Sequence, residues 1–328
     1  MENILMKIAK GFDKHALSVE FLTQYRNTIY KVYCLDYIFI LRLTNENYRS
    51  IEQIESELDF QRYLFRNGAN VSQPLKTESG ESCVIVEMNN QKYLVSAFEY
   101  SHGKNWYERD DNSEETYIHI GKALGKIHKL SKEYIPVNVV KRRLWSEQQE
   151  LIKADVLFRN YSSELHNIFT EYMRQMDKEI RNENNFGLTH GDYLCSNYLI
   201  DGNNHFTVID FDECEYSWFA ADLAICMRCY LFNTEKPFEL PEKAKEAERM
   251  HYNLLLGYKS ENNISKEMVF ELDKYFKIRD FIELSQLLGH QESFNDIEKV
   301  LFDMNLDRIL NNKPFLQFNT EKAEKLLM

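Results

Sequence analysis

Residues 187–212 decide the fold, and they read GLTHGDYLCSNYLIDGNNHFTVIDFD. The triplet His-Gly-Asp at 190–192 is followed by Asn197 after four intervening residues. A short predicted hairpin then leads to the triplet Asp-Phe-Asp at 210–212. Single Asp and Asn residues are common in turns, where their side chains bond the backbone, so the prediction rests on the joint spacing. The stretch therefore gathers groups that handle a metal ion or a proton.

These residue types suit phosphoryl transfer, in which a protein mainly positions groups and neutralises charge. Asp210 and the amide oxygen of Asn197 are hard donors, able to hold magnesium against phosphates. Asp192 can accept the proton of an incoming hydroxyl group. The stretch is thus typical of a site that moves a phosphoryl group.

The spacing resembles the H-R-D-x-x-x-x-N catalytic loop of kinases. With glycine in the middle, the triplet at 190–192 resembles the corresponding motif of the aminoglycoside phosphotransferase and choline kinase family. The resemblance implies an α+β, bilobal protein-kinase-like fold. We expect a small β-rich N-lobe that binds nucleotide at 1–97 and a larger, mostly helical lobe with the catalytic and substrate-binding residues at 98–328. A short hinge near residue 98 favours two lobes facing one cleft.

The same resemblance implies transfer of the γ-phosphoryl group of ATP, with Mg²⁺, to a hydroxyl group of a small molecule. The expected acceptor is an amino alcohol, an aminoglycoside, choline or a homoserine-like compound. The alternative is a catalytically silent kinase-fold protein that binds a nucleotide or a partner. Intact Asp192, Asn197 and Asp210 argue against it, because degenerate members usually lose one of these residues.

By this resemblance Asp192 is the catalytic base, and Asn197 and Asp210 are the magnesium ligands. Asp212 stands where choline-kinase-like members have an acid. We expect it to support a second magnesium ion or to face the substrate.

The segment W-x-x-x-D-L-A from Trp218 resembles a family element in which the aspartate, here Asp222, begins a helix and braces the catalytic loop. We expect His190 to support the loop as well. An acid that only complements the helix dipole is the alternative for Asp222.

Arg42 alternates with Ile38 and Ile40 on one predicted strand face, where a guanidinium needs an anionic partner. The resemblance implies that Arg42 holds the nucleotide phosphates and that Glu57, on the next helix, is its ion-pair partner. The alternative is an arginine that extends outward from an edge strand.

The remaining nucleotide contacts are expected from the family alone. No G-x-G-x-x-G loop occurs between residues 20 and 33, and the glycine-poor loop around Asn27 is expected to close over the phosphates. Ser96, Phe98 and Tyr100 fall where a connection between lobes would offer backbone groups to adenine.

Glu213, Glu215 and Trp218 follow the metal motif, and acids beside an aromatic face suit an ammonium-bearing substrate. The alternative, to which we give equal weight, is that the two acids are ordinary surface residues and that the tryptophan belongs to the core. A protein kinase would need an activation segment here, yet no proline follows Asp210 before Pro237. A small-molecule acceptor is therefore favoured over a peptide.

Patterning predicts the elements around this stretch. A hairpin is expected at 28–43, a helix at 49–67, a strand pair at 82–87 and 91–98, and a helix from Glu114. Helical patterns dominate the rest of the chain outside the decisive stretch.

Charge and composition favour neither nucleic acid nor membrane as a partner. The chain has 40 Lys and Arg against 52 Asp and Glu, a net charge of −12. The densest basic run, Lys-Arg-Arg at 141–143, is interpreted as a solvated helix face. Six scattered cysteines, with no signal peptide and no apolar stretch of membrane length, predict a cytoplasmic protein.

Overall fold

The computed structural model describes residues 2–109, 113–137, 142–202, 205–232 and 243–328. Within it the chain forms two compact units. The first contains Met1–Asp110, Glu133–Arg142 and Ser196–Asp212, and the second contains Asp111–Lys132, Arg143–Cys195 and Glu213–Met328. The predicted domain limits, 1–97 and 98–328, stay a prediction.

The secondary structure is α+β, as predicted. The strands are β1 Ser18–Gln24, β2 Asn27–Tyr33, β3 Ile38–Asn45, β4 Cys83–Met88, β5 Gln91–Glu99, β6 Phe186–Thr189, β7 Tyr198–Ile200, β8 Phe206–Val208 and β9 Glu215–Trp218. The helices are α1 Glu2–Phe12, α2 Ile51–Arg66, α3 Trp106–Arg109, α4 Glu114–Ser131, α5 Gln149–Tyr161, α6 Ser163–Asp177, α7 Phe219–Phe232, α8 Ala244–Lys259, α9 Lys266–Phe270, α10 Leu272–Leu288, α11 Asp296–Leu310 and α12 Glu321–Glu324.

An antiparallel five-stranded sheet forms most of the first unit, in the order β1-β2-β3-β5-β4. The turn between β4 and β5 places Asn89 and Asn90 at φ 52° and 60°, values that asparagine tolerates well in a tight hairpin. Both predicted strand pairs are confirmed. Because β3 lies at the centre of the sheet, the alternative that placed Arg42 on an edge strand is wrong.

Helix α2 begins and ends where the sequence predicts. Ser50 accepts a hydrogen bond from the Gln53 amide, and the Gln53 side chain accepts one from the Ser50 amide, which completes a capping box. Beyond the last turn Gly68 has φ +77°, a left-handed conformation that glycine adopts readily. These two ends fix the register of the helix face that carries Glu57.

Helix α1 and strand β1 were not predicted from the sequence. Leu5, Ile8, Ala9 and Phe12 of α1 belong to the buried cluster that also contains Val32, Phe39 and Leu41 of the sheet. The helix covers one face of the sheet.

The β7–β8 hairpin completes the first unit. Its strands pair Tyr198 with Val208 and Ile200 with Phe206. Val208 also pairs in parallel with Val71, and the Ser72 amide donates to the Val208 carbonyl at 3.0 Å. The hairpin therefore places the residues just outside its ends, at 197 and 209–212, at fixed positions in this unit.

Helices dominate the second unit, and α4 and α8 pack without side chains between them at two points. A Cβ atom on Gly121 would lie 1.9 Å from the Leu254 carbonyl oxygen, and one on Gly257 would lie 2.0 Å from that of Ile118. Only glycine allows this close approach. None of the described helices is long and apolar enough to cross a membrane.

Candidate active site

Arg42 and Glu57 form a buried ion pair in the first unit. Arg42 Nη1 and Nη2 donate to Glu57 Oε1 and Oε2 at 2.7 and 2.8 Å, a bidentate geometry. Arg42 is 3% exposed and Glu57 is fully buried. Burial alone lowers the pKa of Arg42, but Glu57, Asp212 and Asp210 raise it above its usual value. The guanidinium is therefore charged at every physiological pH.

Asp210 and Asn197 lie close together at the open end of the β7–β8 hairpin. The Ile209 amide donates to the Asn197 carbonyl at 2.9 Å, directly before Asp210. Asp210 has φ +65°, a left-handed conformation that is uncommon for a residue with a side chain and is often found at functional sites. Asn197 is buried, whereas the Asp210 side chain is 48% exposed.

Asp210 also faces the buried arginine. Its Oδ1 atom lies 3.8 Å from Arg42 Nη1, which already bonds Glu57. The Arg42 guanidinium, on the central strand β3, thus contacts both the Glu57 carboxylate of α2 and the Asp210 carboxylate that follows the β7–β8 hairpin.

Asp212 has both carboxylate oxygens engaged inside the first unit. Oδ1 accepts from Arg49 Nε at 2.9 Å, and Oδ2 accepts from Asn27 Nδ2 at 3.3 Å. Asn27 in turn accepts from Thr44 Oγ1 at 2.8 Å. The Asp212 backbone carbonyl accepts from Arg142 Nη2 at 2.5 Å. Asp212 therefore anchors the hairpin that carries Asn27.

Arg49 was not predicted as a site residue, because nothing in the pattern around the Ser50 cap signals a buried cation. The interpretation of the basic run at 141–143 also needs correction. Arg142 bonds backbone carbonyls, and Arg143 Nη2 and Nε pair with Glu213 at 2.5 Å and with Glu215 at 3.0 Å. Neither residue lies on a helix, so the solvated-helix interpretation is wrong for both, and residue 141 lies outside the described residues.

Ser96 and Phe98 lie within β5, which continues to Glu99, so the segment predicted as a connection begins later than expected. Ser96 pairs with Arg42 and Phe98 with Ile40 across the sheet. The guanidinium carbon of Arg42 lies 5.0 Å from the centre of the Phe98 ring. Tyr100 lies just beyond the strand, with the Lys31 ammonium 4.7 Å from its ring centre.

In the second unit, Asp222 holds the loop that contains Asp192. Its Oδ2 and Oδ1 atoms accept from the His190 and Gly191 amides at 2.7 and 2.9 Å. Asp222 is fully buried in the first turn of α7. Gly191 has φ +77°, and a Cβ atom there would lie 2.2 Å from the Glu213 carbonyl oxygen. The loop requires glycine at this position.

Glu215 and Trp218 are internal residues of the second unit. Glu215 accepts from Arg143 and, at 2.6 Å, from Gln148 Nε2. Burial raises the pKa of Glu215 to about 7, although Arg143 opposes the shift. Trp218 is buried, with the ring centres of Trp145 and Phe186 each 5.3 Å from its own. A substrate role for Glu213, Glu215 and Trp218 stays a prediction.

The chemistry of the first-unit groups fits a magnesium-bound triphosphate. Asp210 and Asn197 offer hard oxygen donors from adjacent backbone positions. Within the described chain, Arg42 Nε is buried and has no hydrogen-bond partner, so this cation has unused donor capacity beside Asp210. A cation next to a half-exposed carboxylate suits anionic phosphates and their metal ion.

Comparison with known proteins identifies the class. The model of the phosphotransferase enzyme family, APH, matches residues 23–252, and the chain belongs to this family. The predicted protein-kinase-like fold is confirmed, and so is the class of enzyme, a small-molecule kinase with an alcohol group as acceptor.

The relatives include amicoumacin kinase of Bacillus subtilis (strain 168), 25% identical over 287 residues that cover 86% of this chain and 83% of the relative. Among solved structures, "Amicoumacin kinase hAmiN in complex with AMP-PNP, Ca2+ and Ami" has a TM-score of 0.87 at 21% identity. The match covers 98% of this chain and 97% of the chain in that structure. A microcompartment-associated aminopropanol kinase has a TM-score of 0.74 at 19% identity, with 97% and 99% covered.

Proposed function

We propose that the chain transfers the γ-phosphoryl group of ATP, with Mg²⁺, to a hydroxyl group of a small molecule that also carries an amine. Family membership supports the reaction class. Relatives described as kinases of amicoumacin and aminopropanol support the acceptor class.

One observation carries the proposal more than any other. Arg42 is held by Glu57 in two short hydrogen bonds and stands 3.8 Å from Asp210. Without a functional demand, a buried arginine and carboxylate could be replaced by apolar residues at little cost in stability. A charge fixed beside a metal-binding carboxylate serves an anionic ligand, and the triphosphate of ATP is that ligand.

The reaction breaks the bond between the γ-phosphorus and its β-bridging oxygen and forms a bond from the acceptor oxygen to that phosphorus. The acceptor hydroxyl proton passes to Asp192, and ADP leaves with the electron pair of the broken bond. Arg42 orients the phosphates, and Asn197 and Asp210 hold the magnesium ion. When bound, magnesium neutralises charge on the β- and γ-phosphate oxygens.

Other residues act by support. Asp212 keeps Asn27 over the phosphates through the bond at 3.3 Å, and Arg49 balances its charge. Asp222 holds the amides next to Asp192. Ser96 and Phe98 within β5, and Tyr100 just beyond it, would offer backbone groups to adenine.

The test is a screen of purified protein with ATP and Mg²⁺ against amino alcohols, aminoglycosides, choline, homoserine and matched alcohols without an amine. We expect phosphorylated product, detected by mass spectrometry, from at least one amine-bearing acceptor and little from its amine-free analogue. Nucleotide binding without product from any acceptor would favour the silent binding protein. Equal rates with and without the amine would contradict the acceptor class alone.

A further inference from the structure

A series of hydrogen bonds, most of them buried, leads from Asp222 into the helices of the second unit. The His128 ring lies with Nε2 3.0 Å from Asp222 Oδ2 and Nδ1 3.1 Å from the Tyr258 hydroxyl. Asn262 Nδ2 donates to the same hydroxyl at 2.9 Å. Lys132 Nζ donates to Asn262 Oδ1 at 2.8 Å. Five side chains, from α4 and the residue directly after it, from α7, and from α8 and the segment after it, are therefore connected in series.

Every hydrogen bond in this series is donated in the same direction, from Lys132 towards Asp222. Asp222 accepts only, so His128 must carry its proton on Nε2 and accept at Nδ1. Tyr258 then donates its hydroxyl proton to Nδ1, and its oxygen accepts from Asn262. We assign this tautomer from the network, because the opposite one would place two acceptors face to face at Asp222.

Burial keeps the series in that state. His128, Tyr258 and Asp222 have no exposed surface. Burial lowers the pKa of His128 more than Asp222 raises it, so the ring stays neutral with a single proton. Successive bonds that point the same way polarise one another, which strengthens each of them. An ammonium group begins the series and a carboxylate ends it.

Helix packing sets the distances. A Cβ atom on Gly125 would lie 2.7 Å from the Tyr258 carbonyl oxygen, so glycine lets α8 approach α4 one turn before His128. The His128 ring also stacks on Phe219, with ring centres 4.4 Å apart and planes 20° apart. The imidazole is thus fixed from two sides.

We propose that this series, which starts at Lys132 and ends at Asp222, is a positioning device for the loop that carries Asp192. Asp222 uses one oxygen for the His190 amide and His128 together, and the other for Gly191. Fixing the carboxylate rotation fixes both amides, and Asp192 follows directly in the chain. The proposal rests on the proposed function, because position affects turnover only if Asp192 takes part in the reaction.

Tyr258→Phe is the direct test, since it keeps the ring and removes the hydroxyl. We expect kcat to fall about tenfold, the scale seen when a supporting hydrogen-bond partner is lost. KM for ATP should stay within about twofold, because the nucleotide groups are untouched. Tyr252→Phe, on the same helix and outside the series, is the matched control and should behave as wild type.

Amide hydrogen exchange of the peptide covering 188–194 gives a second measurement that needs no turnover. Tyr258→Phe should speed exchange there about fivefold or more and leave other peptides unchanged. If Tyr258→Phe does not fold, Lys132→Met at the half-exposed end replaces it, with an expected twofold to threefold loss of kcat, roughly. Wild-type kcat with wild-type exchange would overturn the proposal, as would lost kcat without faster exchange. An inactive wild-type protein would refute the proposed function, while the exchange result would still decide this inference.

Discussion

Glu57 accepts two hydrogen bonds from Arg42, at 2.7 and 2.8 Å, and neither side chain has more than 4% of its surface exposed. The pair joins α2 to the central strand of the sheet and leaves the guanidinium beside Asp210. Arg42 is therefore expected to contribute separately to stability, through Glu57, and to nucleotide binding, beside Asp210.

Arg42→Met should destabilise the protein by about 3–5 kcal/mol, because it leaves Glu57 buried without its partner. The double variant Arg42→Met/Glu57→Leu should recover most of that loss and remain unable to bind ATP tightly. Arg66→Met, at the exposed end of α2, should change stability by no more than about 0.5 kcal/mol. Chemical denaturation and nucleotide titration measure the two effects. Tight ATP binding by the refolded double variant would show that Arg42 is structural only.

Gly191→Ala should cost activity through the loop backbone. Its Cβ atom would meet the Glu213 carbonyl oxygen at 2.2 Å, and φ +77° disfavours any side chain by roughly 1–2 kcal/mol. The hydrogen bonds to Asp222 should weaken, and kcat should fall by at least about tenfold. Gly202→Ala, where a Cβ atom meets nothing within 4 Å, is the control. Comparable steady-state rates for both variants would argue against a rigid loop.

Gly121→Ala should force α4 and α8 apart. A methyl group 1.9 Å from the Leu254 carbonyl oxygen cannot be accommodated without moving a helix, and overpacking of this kind costs about 1–3 kcal/mol. Gly11→Ala, in a helix where the same atom meets nothing, should instead stabilise the protein by about 0.5–1 kcal/mol. Thermal unfolding of the two variants should therefore shift in opposite directions. Shifts of the same sign would contradict the close packing.

Glu215 should make stability depend on pH. Its folded-state pKa is raised to about 7 by burial, above the ordinary value of 4.5, so the folded state binds the extra proton more tightly. The loss of stability that comes from ionising the buried Glu215 carboxylate is absent below about pH 4.5, grows as pH rises and is complete above about pH 7. It amounts to about 3 kcal/mol, since a tenfold change in proton affinity is worth about 1.4 kcal/mol. Glu215→Gln should flatten the change in unfolding free energy between pH 5 and pH 8. An unchanged slope would show that Arg143 keeps the carboxylate charged throughout.

Much of the fold could be predicted, because the residue types at neighbouring positions determine the local structure. The hairpins, the capped helix α2 and the left-handed Asn89–Asn90 turn all follow from residue types at neighbouring positions. Helix α1 and strands β1 and β9 were missed. Strand β1 is exposed along nearly its whole length, so the alternating pattern that marks a half-buried strand is absent.

The candidate site was predictable only where the residues lie in one motif. Arg42 and Glu57 are fifteen positions apart and were paired correctly by resemblance. The bond from Arg49 to Asp212 spans 163 positions, and no sequence pattern connects them. His128 looked like one more residue of an amphipathic helix, although Gly121 and Gly125 at a spacing of four are a signal of close helix packing.

The most direct measurement compares Asp192→Asn with wild type on the best acceptor from the screen, with ATP affinity measured in parallel. Replacing the proposed base by an isosteric amide should lower kcat by about 10²–10⁴-fold, the contribution of a general base. ATP affinity should stay within about threefold, because the phosphate groups are held by other residues. Phosphoryl transfer by Asp192→Asn at the wild-type rate would contradict the account.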